Sequence, residues 1–249
     1  MCGIIGIQTD DYDEKVLALI KTLLIESQIR GKHATGISWN KFDHIETNIQ
    51  PIPAEKFVEA DLGLGLFHKP LSLIGHCRYS TSDLEYNQPM ADSEDAIVHN
   101  GVISQKDPSQ WEGEYGLICK TRNDSELAFK SIKYHTHPIK RFPRASIALI
   151  HLNKDGSLNF YRNGTRPLWC CEARGINIIA STRDILLRTF RKMGWEAPKI
   201  KNCPMGITHT LFRGIMACQI SAPLQVEQQM NLQCSDYYTP VNERLQTQK

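Results

Sequence analysis

Residues 1–28 read MCGIIGIQTDDYDEKVLALIKTLLIESQ, and a change of rhythm within them sets the architecture. The segment 2–8, CGIIGIQ, is short, apolar and β-branched, which suits a buried opening strand. From Tyr12 to Gln28 the apolar residues Val16, Leu19, Ile20, Leu23 and Leu24 recur three and four apart instead, the spacing of one helical face. The chain therefore opens strand, then helix.

After Gly36 come short strand-like runs at 37–39, 73–79, 96–100, 145–152, 158–162, 167–171, 176–180, 208–212 and 215–220. Lys154-Asp155-Gly156 and Arg213-Gly214 are hairpin signals between neighbouring runs. Two further helices are expected, from Ser125 to about Lys133 and from Thr182 to about Met193, each with a capping-type residue at its start. Many antiparallel-type strands with few helices argue against a doubly wound parallel sheet. The expected fold class is α+β, a four-layer αββα sandwich of two antiparallel sheets flanked by helices. Residues 1–224 are read as one domain, and the polar, glutamine-rich stretch 225–249 as a weakly packed tail.

The chain has 249 residues, 41% hydrophobic and 22% charged, with a formal net charge of +2, so it has apolar material for a core and needs no polyanion to balance it. The Lys133–Arg144 stretch is basic, but a solvated loop explains it as well as nucleic acid would. No apolar run approaches the roughly 20 residues of a membrane helix, and MCGIIGI runs directly into the acidic DDYDE, unlike a signal peptide. Eight cysteines with no CxxC pair are too sparse for a disulfide scaffold. These features imply a reducing cytoplasm, no structural metal and no cofactor. The adjacent Cys170-Cys171 is read as part of a buried strand whose side chains point to opposite faces.

Cysteine directly after the initiator methionine is the most informative feature. Its small side chain favours methionine removal, which leaves a thiol and a free α-amine on one residue. That amine has a reference pKa of roughly 7.7–8.0 and can take the thiol proton near neutrality. A lone cysteine near a strand end is more often a small buried hydrophobe, so further elements must support the reading. His99-Asn100-Gly101 follows the apolar run Ala96-Ile97-Val98 and offers an amide and a glycine N–H as donors to an oxyanion, although an Asn-Gly turn is the commoner explanation. Gly75-His76-Cys77-Arg78-Tyr79-Ser80-Thr81 delivers Arg78 to a strand end, where it can bind a carboxylate with help from Thr81. In Asn123-Asp124-Ser125-Glu126, Asp124 can hold an ammonium group, against the plainer reading of a helix N-cap.

In this order, the motifs resemble the class II glutamine amidotransferases, glutaminase domains of the N-terminal-nucleophile hydrolases. Cys2-Gly3-Ile4-Ile5-Gly6, Arg30-Gly31 through Gly36, Gly75-His76-Cys77-Arg78, His99-Asn100-Gly101 and Asn123-Asp124-Ser125-Glu126 carry the likeness. Gly164-Thr165-Arg166-Pro167-Leu168 and Ile179-Ala180-Ser181-Thr182 extend it to about residue 220. The resemblance implies Cys2 as nucleophile, Asn100 and Gly101 as oxyanion hole, and Arg78, Thr81 and Asp124 as ligands of the amino-acid end of glutamine. Arg30 and Tyr79 would support the site. It also implies an ammonia-accepting synthetase subunit as partner. Three departures touch the surroundings: His33 stands where the family usually has aspartate, Tyr79 where it has tryptophan, and Ser82-Asp83 where it has a histidine-glycine pair. A stand-alone γ-glutamyl amidohydrolase and a silent glutamine-sensing domain are the competing readings. A pure sensor has no need of a thiol at residue 2.

Overall fold

A computed structural model describes residues 2–65, 70–80, 85–164 and 166–221. Along the chain the strands are β1 (Gly3–Thr9), β2 (Ala34–Lys41), β3 (His44–Gln50), β4 (Leu71–Arg78), β5 (Met90–Ala91), β6 (Asp95–Val102) and β7 (Ser146–Asn153). They continue with β8 (Leu158–Arg162), β9 (Trp169–Ala173), β10 (Ile176–Ala180), β11 (Lys201–Asn202), β12 (Ile207–Phe212) and β13 (Ile215–Ile220). The helices are α1 (Glu14–Ser27), α2 (Ala54–Phe57), α3 (Trp111–Tyr115), α4 (Ser125–Lys133), α5 (Pro138–Arg141) and α6 (Arg183–Met193).

One sheet runs β11-β9-β10-β1-β4-β2-β3 and the other β13-β12-β8-β7-β6-β5, with every pairing antiparallel. They stack face to face between helices, which is the αββα sandwich expected of the sequence. Strand alternation builds the layers. From β1, Ile5 and Ile7 pack with Leu19, Ile20, Leu23 and Leu24 of α1 and with Ile185, Leu186 and Phe190 of α6. Ile4 points the other way, into the layer between the sheets with Val98 and Ile150. Cys170 and Cys171 divide in the same manner, one into each cluster. Beyond the second sheet, Leu127 and Ala128 of α4 cover Ile97, Ile147 and Leu149.

Local signals account for where the elements start. Asp13 accepts from Val16 N at 2.9 Å and caps α1, while Thr182 accepts from Ile185 N at 3.4 Å and caps α6. Buried Glu26 joins the two helices through Arg188 Nε and Lys192 Nζ, both at 2.6 Å. Gly156 and the Arg213-Gly214 pair take positive φ in the expected hairpin turns. Three strands are unexpected, the two-residue β5 and β11 and the longer β3. Strand β3 follows β2 through Phe42-Asp43, a two-residue turn in which Phe42 has φ 56° without any glycine or asparagine to mark it.

Candidate active site

Strand β1 is central in the first sheet and β6 lies in the second, so the end where they approach brings together residues 98 apart. Cys2, immediately before β1, donates its main-chain N–H to Asn100 Oδ1 at 3.1 Å. Its carbonyl accepts from Arg30 Nε at 2.8 Å, and its Sγ lies 4.0 Å from the Tyr79 carbonyl. Arg30 ends the 3₁₀ turn Gln28–Arg30 that follows α1, so the opening helix returns the chain to the start of β1. Burial lowers the pKa of Arg30, and the neighbouring Cys2 sulfur opposes that shift. With Oδ1 taken by Cys2, Asn100 Nδ2 is buried and makes no hydrogen bond among the described residues. An orphaned buried amide donor costs roughly 1–3 kcal/mol, which is tolerated where a ligand supplies the acceptor.

Close packing fixes the backbone next to that amide. A Cβ on Gly101 would lie 1.7 Å from Ser146 O and 2.6 Å from His99 Nε2, so no other residue fits there. His99 donates its main-chain N–H to Gln88 Oε1 at 2.6 Å, and its Nδ1 meets Ser125 Oγ at 2.9 Å. Gln88 Nε2 donates to the same hydroxyl at 3.0 Å, and His99 Nε2 faces Ser146 O at 3.3 Å. The set is self-consistent with hydrogen on Nε2 and an acceptor at Nδ1, the neutral form that burial favours. Through these contacts β6, β7 and the first turn of α4 hold one another in register.

Arg78, at the end of β4, donates through Nη1 to Tyr86 O at 2.6 Å and Asn87 Oδ1 at 2.7 Å. Asp124 precedes α4 but makes no side-chain cap. Asn123 Oδ1 accepts from Ser125 N at 3.1 Å instead. Asp124 Oδ2 accepts from Ile103 N at 2.6 Å and Ser104 N at 3.2 Å, which aims the carboxylate across the loop after β6. Cys2, Arg78, Tyr79, Gly101 and Asp124 all line one cleft of about 310 Å³. His33 is one of the three departures from the family that the sequence resembles. Its Nδ1 accepts from Ser80 N at 2.8 Å, its N–H donates to Arg78 O at 3.0 Å, and its ring lies 5.3 Å from that of Tyr79. It thereby fixes how the chain leaves β4. Gly31 is required beside it, because a Cβ there would lie 2.2 Å from the Arg78 carbonyl carbon.

The structure thus gathers Cys2, Asn100, Gly101, Arg78, Asp124, Arg30 and Tyr79, while Thr81 lies outside the described residues, as do residues 225–249. Residues not singled out from sequence include Gln88, His33 as a loop anchor, and His76. The His76 ring lines the same cleft, is 1% exposed and has no hydrogen bond at either nitrogen among the described residues. Burial, with Arg78 and His99 nearby, pushes its pKa down to about 3. Burial brings His209 to about 4.

These depressed values set an acid limit on stability. Unfolded histidine takes up a proton near 6.5, whereas the folded rings remain neutral to about 4 and below. Stability is therefore complete above about pH 6.5 and falls as pH drops toward 4. Each such ring gives up to roughly 1.4 kcal/mol lost per pH unit around pH 5. Urea midpoints at pH 7, 6 and 5 check this, and an unchanged midpoint across that range would contradict it.

No protein-family model matches the sequence, and no curated protein does so. The solved structures place it by fold: the chain has the sandwich of the class II glutamine amidotransferase domains. In particular, it is similar to the glutamine phosphoribosylpyrophosphate amidotransferase of B. subtilis (TM-score 0.68, 19% identity, covering 89% of this chain and 49% of that one). A structure described as the allosteric regulatory enzyme of purine biosynthesis aligns almost equally well (TM-score 0.67, 18% identity, 89% and 49%). A glutamine aminotransferase class-II domain protein from Silicibacter pomeroyi aligns over 88% of this chain and 100% of its own, with TM-score 0.56 and 12% identity. The chain spans about half the length of the first two. No described helix is long and apolar enough to cross a membrane.

Proposed function

We propose that the protein hydrolyses the side-chain amide of glutamine through a thioester on Cys2. The observation that carries this reading is the Asn100 amide, whose oxygen is held by the Cys2 nitrogen while its buried nitrogen has no partner among the described residues. Once Met1 is removed, the nitrogen that donates to Asn100 Oδ1 becomes an α-amine, able to accept the thiol proton. The thiolate attacks the glutamine Cδ, and the tetrahedral oxyanion is received by Asn100 Nδ2 and the Gly101 N–H. The amine returns its proton to the departing nitrogen, which leaves as ammonia. Water, deprotonated by the same amine, then attacks the thioester, and cleavage of the C–S bond releases glutamate and restores the thiol. Arg30 acts as a positioning residue by fixing the Cys2 carbonyl. Release of glutamate from glutamine by the purified, Met1-free chain tests the reading, and absence of release would refute it.

Arg78 and Asp124 bind the α-carboxylate and α-ammonium of the substrate in this scheme. Both contacts exist in ground and transition states alike, so they govern KM more than kcat. Arg78→Lys and Asp124→Asn are expected to raise KM roughly 10–100-fold, the worth of a charge-assisted hydrogen bond, with kcat changed far less. Initial-rate kinetics over a wide glutamine range check this. A fall in kcat at unchanged KM in both variants would remove the assignment. The ammonia is proposed to pass to a separate synthetase, since free ammonia is largely protonated and non-nucleophilic at neutral pH. Turnover measured with and without candidate synthetases distinguishes that arrangement from a stand-alone γ-glutamyl amidohydrolase.

A further inference from the structure

Among the described residues, three histidine rings stand at or beside the catalytic cleft, and two of them are locked neutral. His76 and His99 are buried, which carries the pKa of the first to about 3 and lowers that of the second. His33 differs, because it is exposed and exchanges protons with solvent. Histidine is the side chain that ordinarily changes charge between about pH 5 and 8. Whatever His33 holds in place is therefore held in a pH-dependent way.

It holds the wall of the cleft beside the thiol. The ladder between β2 and β4 ends at the pair Ala34–Arg78, and the His33 N–H extends it by one bond to Arg78 O at 3.0 Å. Beyond that point a side chain takes over from the main chain, since Ser80 N donates to His33 Nδ1 at 2.8 Å. The Tyr79 ring lies between these anchors, 5.3 Å from the imidazole and tilted by 33° to it. The Tyr79 carbonyl is 4.0 Å from Cys2 Sγ. Arg78, Tyr79 and Ser80 line the cleft together with Cys2. One acceptor atom on His33 thus helps to fix the segment that faces the nucleophile.

A carboxylate or amide oxygen would accept from Ser80 N throughout the neutral range, but an imidazole nitrogen accepts only while its lone pair is free. Protonation puts a hydrogen on Nδ1 and sets two donors against each other at 2.8 Å. The groups around the ring do not offset the added charge. Lys32 is its neighbour in sequence, Arg30 and Arg78 are cations bonded to Cys2 O and to Tyr86 O and Asn87 Oδ1, and Tyr79 and Cys2 bring a phenol and a thiol. No carboxylate among the described residues is bonded to the ring. We propose that His33 is a pH-sensitive positioning residue, whose neutral ring holds residues 78–80 in the geometry for glutamine hydrolysis and whose protonation releases them and lowers turnover. The inference rests on the glutaminase reading of the cleft and adds to it a group that tunes the site to pH.

The test compares kcat/KM for glutamine in the Met1-free parent and in His33→Asn between about pH 5.5 and 7.5. The asparagine oxygen accepts from Ser80 N and does not titrate. Ionisation of the Cys2 amine affects both proteins alike and cancels in their ratio. The ratio of variant to parent is expected to rise about tenfold as pH falls across that range, the worth of one hydrogen bond. His33→Leu packs on Tyr79 without an acceptor, so it should stand below His33→Asn by the same factor at every pH. In the parent, the Ser80 amide resonance should shift together with the ionisation of the His33 ring, a readout that needs neither a variant nor turnover. A flat ratio in an active chain overturns the inference, as does a Ser80 amide that ignores the ring. Absence of glutamate release at every pH defeats the glutaminase reading itself, and the inference falls with it.

Discussion

Replacing Cys2 with alanine is expected to abolish glutamate release, with a loss on the order of 10⁴–10⁶-fold, because no other group can form the thioester. The comparison with other cysteines makes the result specific. Cys77 is fully buried, and burial drives its thiol pKa far above the ordinary value. Cys119 is pushed up to about 11, again chiefly by burial, with Glu126 adding to it. Neither supplies a thiolate near neutrality, so Cys77→Ala and Cys119→Ala should keep most of the turnover per folded molecule. Cys2 is partly exposed and opens on the cleft. Retention of Met1 is expected to inactivate as well, because it converts the catalytic amine into an amide that cannot accept a proton. Glutamate release assayed on the three variants decides the matter, and parental activity in Cys2→Ala would end the proposed mechanism.

Asn100 carries the second large effect. Asn100→Ala should lower kcat on the order of 10²–10³-fold, the cost of removing one oxyanion donor, with glutamine affinity largely kept. The structure sharpens the comparison, because Asn100 uses its oxygen and its nitrogen differently. Asn100→Asp preserves an acceptor for the Cys2 nitrogen at 3.1 Å but replaces the Nδ2 donor with a negative oxygen. It should therefore be no more active than the alanine variant. Single-turnover kinetics separate the two functions: a slow acylation step with unchanged binding is expected of both. An Asn100→Asp variant with kcat near the parent value would show that Nδ2 has no part in the reaction.

The strands β8, β10 and β13 and the helix α4 were legible to the residue, because glycine turns or capping residues bound them. Strand β3 was not, since its turn at Phe42-Asp43 carries no residue that advertises positive φ. The two-residue strands β5 and β11 are too short for any period to show. Around the cleft, the motifs that hold Cys2, Asn100-Gly101, Arg78 and Asp124 stand out in the sequence, and the fold brings them together. Their supports do not stand out. Gln88 reaches His99 across 11 residues, and His33 reaches Ser80 across 47, through contacts that only the tertiary fold creates. Asp124 shows how a local signal misleads: its place before α4 suggests a cap, yet Asn123 caps Ser125 N and Asp124 bonds the loop after β6.

The most direct test is intact-protein and peptide mass spectrometry of the purified chain after exposure to an electrophilic glutamine analogue. The account predicts a chain that begins at Cys2, a single covalent adduct located on that residue, and protection of the thiol by excess glutamine. A chain that retains Met1 yet turns over glutamine at full rate, or an adduct placed on another cysteine, would contradict it.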